Sequence, residues 1–265
     1  HSIDHPLLRP PDLIIQDELH LISGPLGTLV GLYETAVDEL ASWEVGGRRV
    51  RPKVIASTAT IRRAEAQAHN LFLRRLEVFP PQGLDAADNF FSLERVPSDG
   101  DPGRRYVGIC APGRRLKAAL IRVYVANLAA AQQIYERYGL AADPWMTLVG
   151  YFNSRRELAG MRRLVEDDVR SRLRETDSRG LARRPAPNLE ELTSRKSSTD
   201  IPRVLDRLEA AFDPEELARR AARRRAGHRV ASPDPLDVLL ATNMISVGVD
   251  VQRLGLMVVA GQPQT

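Results

Sequence analysis

Apolar residues follow two patterns along this chain, short continuous runs and longer stretches with helical spacing. The runs within 13–16, 53–60 and 237–242 are typical of strands that are buried on both faces of a parallel sheet. Over 28–43 and 116–138 the apolar residues recur every three or four positions, which predicts amphipathic helices. Alternating strands and helices of this kind predict an α/β protein whose parallel sheets carry helices on both faces.

The same reasoning predicts the remaining elements. We expect strands at 76–79, 106–110, 145–151 and 255–259, and helices at 62–73, 202–212 and 214–225, with a further helix ending near 174. Glycine and proline interrupt the pattern at 175–188, which predicts a mobile loop. They also recur among charges over 82–104, which predicts a crossover between two domains, 1–103 and 104–265.

Composition narrows the class of protein. The chain has 265 residues, of which 43% are hydrophobic and 27% are charged, as in a soluble globular protein. No apolar run approaches the ~20 residues that span a bilayer, and no secretory leader pattern opens the chain. The single cysteine, Cys110, excludes an internal disulfide and a thiolate metal site. We therefore expect a cytoplasmic protein without a membrane partner.

The net charge is only +4, but the basic residues are unusual. Three of the 38 are lysines, which leaves 35 arginines. Arginine suits phosphate recognition, although such a bias also arises from genomic base composition, so it supports a nucleic-acid partner only weakly. We interpret the arginine-rich stretch 219–225 as a solvated helix face rather than a nucleic-acid contact.

Candidate chemistry lies where the predicted strands end. The first apolar run ends in Asp17 and Glu18, with His20 close behind. Asp17 could hold Mg²⁺ through oxygen and Glu18 could orient a water for attack on a phosphate; the alternative is a surface strand end with solvated acids. The second run ends in Ser57, Thr58, Ala59 and Thr60. Because the ends of parallel strands form a crevice, these residues should lie near the two acids.

Five short blocks stand in a definite order along the chain. They are Asp17-Glu18-Leu19-His20, Ser57-Thr58-Ala59-Thr60, Phe152-Asn153-Ser154, Thr193-Ser194-Arg195, and Thr242 followed by Gly248-Val249-Asp250. In this order they resemble motifs II (Walker B), III, IV, IVa and V of superfamily 2 helicases. The sequence around the first block, residues 13–27, is most similar to that of bacterial helicases with a DUF1998 domain. This group includes the DISARM phage-defence helicase subunit and MrfA-type repair helicases.

This resemblance implies two RecA-like domains of the P-loop NTPase type, the first of them partial, and the use of ATP with Mg²⁺. It implies that Asp17 binds the Mg²⁺ and that Glu18 positions the attacking water. His20 would link this motif to the coupling motif 57–60, and Gly248 and Asp250 would face the nucleotide. The resemblance also implies a nucleic-acid partner, with DNA as the expected one. The residues implied to lie near its phosphates are Asn153, Ser194, Arg195 and Thr242.

Some parts of a helicase core are not found. The sequence contains no Gly-Lys-Ser/Thr phosphate loop, no arginine-finger motif after motif V and no cysteine cluster. We therefore expect an internal part of a longer helicase, completed by missing segments or partner subunits, that does not hydrolyse ATP alone. We also expect its first domain to expose a sheet edge and an apolar face.

Two other functions remain open. One is a non-catalytic nucleic-acid-binding or assembly module with a helicase-like fold, against which the intact pair of Asp17 and Glu18 argues mildly. The other is the motor of a restriction-type defence complex, in which a partner would supply the nuclease.

Overall fold

The computed structural model divides the chain into two compact units, 1–105 and 106–265. It describes residues 9–17, 19, 27–58, 64–81, 83–197, 199–230, 232–242 and 251–262. Parallel strands and helices make up both units, so the predicted α/β fold class is confirmed. Within the described residues, no helix has the length and apolar character needed to span a bilayer.

Unit 1 is built around two parallel strands. Strand β1 (Leu13–Gln16) pairs with β4 (Lys53–Ala56), and Gln16 lies opposite Ala56. Helices α1 (Gly27–Leu40) and α2 (Ala64–Phe72) contact each other. Large apolar side chains of β1 and α1 are exposed to solvent; they are Leu13, Ile15, Leu29, Leu32, Tyr33 and Leu40.

Unit 1 also contains a β-hairpin that the sequence pattern did not predict. Strands β2 (Trp43–Val45) and β3 (Arg48–Val50) pair antiparallel across Gly46-Gly47. Both glycines have positive φ angles, 57° and 73°, which favour a two-residue hairpin turn. From the sequence this glycine pair indicates only an interruption, because the flanking strands are three residues each and too short to show a strand pattern.

Residues 76–79 do not form the predicted strand, and neither do 106–110. Four apolar residues in a row do not by themselves distinguish a strand from irregular chain, and neither segment pairs with a described strand. Phe79 instead packs edge-on against Phe90 and Phe91, with ring centroids 5.0 Å and 6.1 Å away. Ring packing thus replaces strand pairing here.

Unit 2 contains a four-stranded, all-parallel sheet. Its strands are β5 (Leu148–Phe152), β6 (Leu189–Leu192), β7 (Val238–Ala241) and β8 (Leu256–Ala260), in the order β6-β7-β5-β8. Because all four strands point the same way, their carboxyl ends meet at one edge of the sheet and their amino ends at the other. We refer to these as the carboxyl edge and the amino edge.

Helices flank this sheet. The longest, α3, spans Leu116–Tyr138 and ends at Gly139, as predicted. A short helix α4 (Asp143–Met146) precedes β5, and α5 (Arg155–Leu164) follows it, continued by a π-helical turn and α6 (Arg170–Leu173). Helices α7 (Asp200–Glu209) and α8 (Pro214–Arg225) lie between β6 and β7 in sequence, and α8 has the predicted bounds.

The two central strands of the sheet, β7 and β5, are buried on both faces, as their continuous apolar sequences require, whereas the edge strand β8 exposes Met257 and Val259. On β7, Val238 and Leu240 pack into a cluster with α3, while Leu239 and Ala241 pack with α7. On β5, Gly150 leaves room for Tyr124 of α3, whose hydroxyl would lie 1.9 Å from a Cβ at that position.

The loop predicted to be mobile at 175–188 is anchored to unit 2 at several points. Residues 176–179 form a 3₁₀ turn, and the hydroxyl of Thr176 donates to the carbonyl of Ala182 at 2.7 Å. Arg184 is buried and ion-paired to Asp237. Composition suggested mobility because glycine and proline are frequent here, but the hydrogen bonds of Thr176 and the buried ion pair of Arg184 hold the segment in place.

Candidate functional site

The structure brings Asp17 and Ser57 together at the end of the sheet of unit 1. Each follows the last residue of its strand, and those last residues, Gln16 and Ala56, lie opposite each other. The hydroxyl of Ser57 donates to Oδ1 of Asp17. The backbone N–H of Ser57 donates to the carbonyl of Gln16 at 2.9 Å, and that of Leu19 to the carbonyl of Ser57 at 3.0 Å. The first and second blocks are therefore hydrogen-bonded to each other.

This pair of oxygen ligands fits Mg²⁺. A carboxylate and a hydroxyl are hard donors, and Mg²⁺ is usually held by one or two protein oxygens while phosphates and water complete its shell. Within the described ranges, no group of three or more His, Cys, Asp or Glu side chains forms a cage for a metal ion. Such a site would therefore depend on a phosphate ligand in addition to Asp17.

Several predicted site residues lie outside the described residues. These are Glu18, His20, Ala59, Thr60, Gly248 and Asp250. Thr58 is described and exposed. The roles that the resemblance implies for all of these residues remain predictions.

A polar network that the sequence analysis missed lies between β1 and α1. Nε2 of Gln16 donates to Oε1 of Glu34 at 3.3 Å. One turn further along α1, Asp38 accepts from Arg51 at 2.9 Å and from Arg74 at 2.8 Å. Burial raises the pKa of Asp38, but the two guanidinium groups outweigh it and hold this pKa below its ordinary value. The only signal in the sequence was Gln16, a polar residue at the end of an apolar run.

In unit 2 the predicted nucleic-acid residues lie at the carboxyl edge. Thr193 and Thr242 directly follow Leu192 and Ala241, which are opposite each other in the sheet. The N–H of Thr242 donates to the carbonyl of Leu192 at 3.4 Å. The turn after β6 is closed by the N–H of Lys196, which donates to the carbonyl of Thr193 at 3.0 Å.

Asn153 lies at the same edge, after β5. Its Nδ2 donates to the carbonyl of Gln262 at 2.7 Å, which connects the ends of β5 and β8. Ser154 caps the amino end of α5, and its side chain accepts a hydrogen bond from the N–H of Glu157. Ser194 and Arg195 are exposed, and Arg195 forms no ion pair with a described residue. The exposed hydroxyl of Ser194 and guanidinium group of Arg195 can bind phosphate oxygens, whereas Thr242 is buried.

The amino edge of the same sheet is organised differently. Arg184 donates through Nε and Nη2 to Oδ1 of Asp237, at 3.1 Å and 2.6 Å. Its remaining bonds go to the carbonyls of Leu128 and Met146, at 3.2 Å and 2.6 Å. The other oxygen of Asp237 accepts the N–H of Asn188 at 2.7 Å. This buried guanidinium thus connects α3, α4 and the segments that lead into β6 and β7.

A second arginine, Arg253, performs the same task before β8. It forms a bidentate ion pair with Asp143, in which Nε donates to Oδ2 at 2.8 Å and Nη2 donates to Oδ1 at 2.6 Å. Its Nη1 also donates to Thr147 at 3.0 Å and to the carbonyl of Leu208 at 2.8 Å. Although burial raises the pKa of Asp143, hydrogen bonds from Arg253 and from the N–H of Phe212 bring this pKa below its ordinary value.

Nothing in the sequence marked these two arginines. Arg184 lies in a stretch rich in glycine and proline, and Arg253 follows the block Gly248-Val249-Asp250, which was expected to face the nucleotide. Their partners, Asp237 and Asp143, are far away along the chain. Long-range pairs of this kind are set by the fold, so a single sequence does not reveal them.

No family model matches the chain. DISARM protein DrmA of Bacillus paralicheniformis is 46% identical to it over 265 residues, which covers 96% of the chain and 21% of DrmA. The predicted resemblance to the DISARM group is confirmed. The chain spans about a fifth of the length of this relative.

Two solved structures show a weaker likeness. The crystal structure of the DUF1998 helicase MrfA bound to DNA has a TM-score of 0.45 and 14% identity, over 95% of this chain and 27% of that one. The Mycobacterium smegmatis helicase Lhr bound to ssDNA and AMP-PNP has a TM-score of 0.42 and 16% identity, over 93% and 24%. These TM-scores are too low to support a conclusion about this chain.

Proposed function

We propose that this chain is part of an ATP-dependent DNA helicase or translocase that acts in phage defence. The observation that carries the proposal is the hydrogen bond between Asp17 and Ser57, since it joins the blocks that resemble motifs II and III at the ends of neighbouring strands. The similarity to DISARM protein DrmA supports the defence role.

In this proposal the residues of unit 1 act on ATP. Asp17 would hold Mg²⁺ through its carboxylate, and the bound ion would offset negative charge on the phosphates. Glu18 accepts a hydrogen bond from the attacking water and orients it. Ser57 is hydrogen-bonded to Asp17, so a displacement of Asp17 moves the first residue of the block 57–60 with it.

The residues at the carboxyl edge of unit 2 act on DNA. Arg195 is exposed and has a charge that attracts a phosphate, while Asn153 and the buried Thr242 follow other strands at the same edge. Contacts of this kind position a strand without reading its sequence, as a translocase requires. Gly248 and Asp250 would face the nucleotide and not the DNA.

The chain lacks a Gly-Lys-Ser/Thr phosphate loop. A helicase core needs such a loop to hold the phosphates, so we expect the 265-residue chain to be inactive by itself and to act within a longer protein or complex. Activity must therefore be tested in the full-length native protein.

The experiment compares ATP hydrolysis by the full-length native protein with and without single-stranded DNA. We expect DNA to stimulate hydrolysis, and Glu18→Gln to reduce the stimulated rate by about 10²–10⁴-fold, because this change removes the group that orients the water. Glu44→Gln is the matched control, since Glu44 is an exposed glutamate of the hairpin, and it should leave the rate unchanged.

Two results would contradict the proposal. One is the absence of ATP hydrolysis by the native protein under all DNA conditions, and the other is full activity of Glu18→Gln. DNA binding without hydrolysis would instead favour the non-catalytic nucleic-acid-binding module.

A further inference from the structure

A polar contact lies directly beneath the end of β1. Gln16 is the last residue of this strand and immediately precedes Asp17. Its side chain extends toward α1, where Nε2 donates to Oε1 of Glu34 at 3.3 Å. The other polar atom of this side chain, Oε1, is buried and has no hydrogen-bond partner in the described part of the chain.

This contact costs stability. A buried carbonyl oxygen without a partner has lost its hydrogen bonds to water, and an apolar side chain of similar size would avoid this penalty. Burial also raises the pKa of Glu34, because it disfavours the charged carboxylate by more than the hydrogen bond from Gln16 stabilises it. Arrangements that disfavour folding but persist are concentrated where they serve a function.

The position of Gln16 indicates what this function is. Its carbonyl accepts the N–H of Ser57 at 2.9 Å, and the hydroxyl of Ser57 donates to Asp17. Gln16 is therefore held by β4 through its backbone and by α1 through its side chain. Fixing Gln16 on both sides limits the rotation of the peptide that carries Asp17.

We propose that Gln16 and Glu34 are positioning residues, which hold the end of β1 so that the Asp17 carboxylate is oriented for a divalent cation. Neither residue touches the cation itself. The inference rests on the proposed function, because it presumes that Asp17 binds the metal.

The same helix provides a matched control. Asp38 lies one turn after Glu34 on α1 and pairs with Arg51 and Arg74, neither of which belongs to β1. Breaking this ion pair weakens the packing of α1 but leaves the contact with Gln16 in place. Asp38→Asn therefore reports on the stability of α1 without a direct effect on Asp17.

The test measures binding of Mn²⁺, as a spectroscopic substitute for Mg²⁺, to the full-length native protein in the presence of a non-hydrolysable ATP analogue. Free Mn²⁺ is followed by electron paramagnetic resonance, and thermal unfolding is measured in parallel. We expect Gln16→Met and Glu34→Met to weaken Mn²⁺ binding about three- to tenfold, the effect of losing one hydrogen bond.

Two further variants separate positioning from stability. Glu34→Gln retains an acceptor for Gln16, so its Mn²⁺ affinity should stay within about twofold of the native value. Asp38→Asn should lower the unfolding temperature without changing the Mn²⁺ affinity. Together they distinguish an oriented carboxylate from a merely loosened helix.

Three results bear against the inference. Unchanged Mn²⁺ affinity in Gln16→Met and Glu34→Met would overturn it, and so would an equal loss in Asp38→Asn, since both assign the pair a structural role only. If the native protein itself binds no Mn²⁺ with the ATP analogue, the proposed function fails, and the positioning role fails with it.

Discussion

The two edges of the sheet in unit 2 differ in how their polar groups are used. At the amino edge, Arg184 and Arg253 are largely buried and their donors bind carboxylates and carbonyls of the same unit. At the carboxyl edge, Arg195 is exposed and forms no ion pair with a described residue. The arginines of the amino edge stabilise the fold, while Arg195 at the carboxyl edge remains accessible to a ligand.

This difference follows from the physics of burial. A buried guanidinium must be paired and hydrogen-bonded, and once it is, removing one partner leaves a costly unpaired charge. An exposed arginine contributes little to stability, so it is free to be selected for binding. The comparison therefore predicts that substitutions at the amino edge affect folding and that those at the carboxyl edge affect binding.

The largest effect is expected for Arg184→Met. This change leaves Asp237, whose side chain is only 16% exposed, without its charged partner and should lower the free energy of unfolding by about 3–5 kcal/mol. Its neighbour provides the control, because Arg183 pairs with Asp177 at the surface, and Arg183→Met should lower the free energy of unfolding far less. Urea unfolding followed by circular dichroism measures both, and equal costs would remove the distinction between buried and exposed pairs.

A smaller effect is expected from the titration of Asp143. Its pKa in the folded protein lies below the ordinary 3.8, so the stability it contributes is fully present above about pH 5 and is lost as the pH falls through the folded-state value. Asp143→Asn should reduce the free energy of unfolding at pH 7 by about 1–3 kcal/mol and flatten its decline in acid.

The control for this titration is Asp177. Arg183 lowers the pKa of this carboxyl as well, but the pair is exposed to solvent. Asp177→Asn should therefore leave the acid dependence almost unchanged. If Asp143→Asn and the native chain lose stability over the same pH range with the same slope, the buried pair does not contribute as described.

The smallest effect on stability is expected for Arg195→Met, less than about 0.5 kcal/mol. In the full-length protein the same change should weaken binding of single-stranded DNA and reduce the slope of log affinity against log salt by about 0.7–1, the effect of losing one phosphate contact. Fluorescence anisotropy at several salt concentrations measures this slope.

Arg223→Met tests the other arginine-rich surface. Arg223 lies on α8 and is exposed, so this variant removes the same charge from a helix that we interpret as a solvated face. It should leave DNA affinity and the salt slope unchanged. A loss equal to that of Arg195→Met would mean that DNA binding reflects general basic charge rather than the carboxyl edge.

The sequence predicted those parts of the fold that depend on local patterns. The bounds of α3 follow from apolar spacing and Gly139, and those of α8 from Pro214 and a run of helix formers. The strands 76–79 and 106–110 were wrong because a short apolar run needs a neighbouring strand, which local sequence does not reveal. The hairpin around Gly46-Gly47 was missed for the opposite reason, since its strands pair although they lack an apolar pattern.

The candidate site was predicted to the same extent. Residues that follow strands, such as Asp17 and Ser57, were expected to meet because strand ends share an edge, and the structure places these two in contact. The contact between Gln16 and Glu34 was not predicted, since it depends on how α1 packs against β1. The pairing of Arg253 with Asp143 likewise joins residues distant in sequence, which only the folded chain brings together.

Hydrogen exchange of the full-length native protein, with and without single-stranded DNA, tests the division between the two edges most directly. We predict that DNA slows exchange in peptides containing Asn153, Arg195 and Thr242. Peptides containing Arg184 and Arg253 should already exchange slowly without DNA and should not change when it is added. Protection that appears at the amino edge instead, or no protection at either edge, would contradict the assignment of the carboxyl edge to nucleic-acid binding.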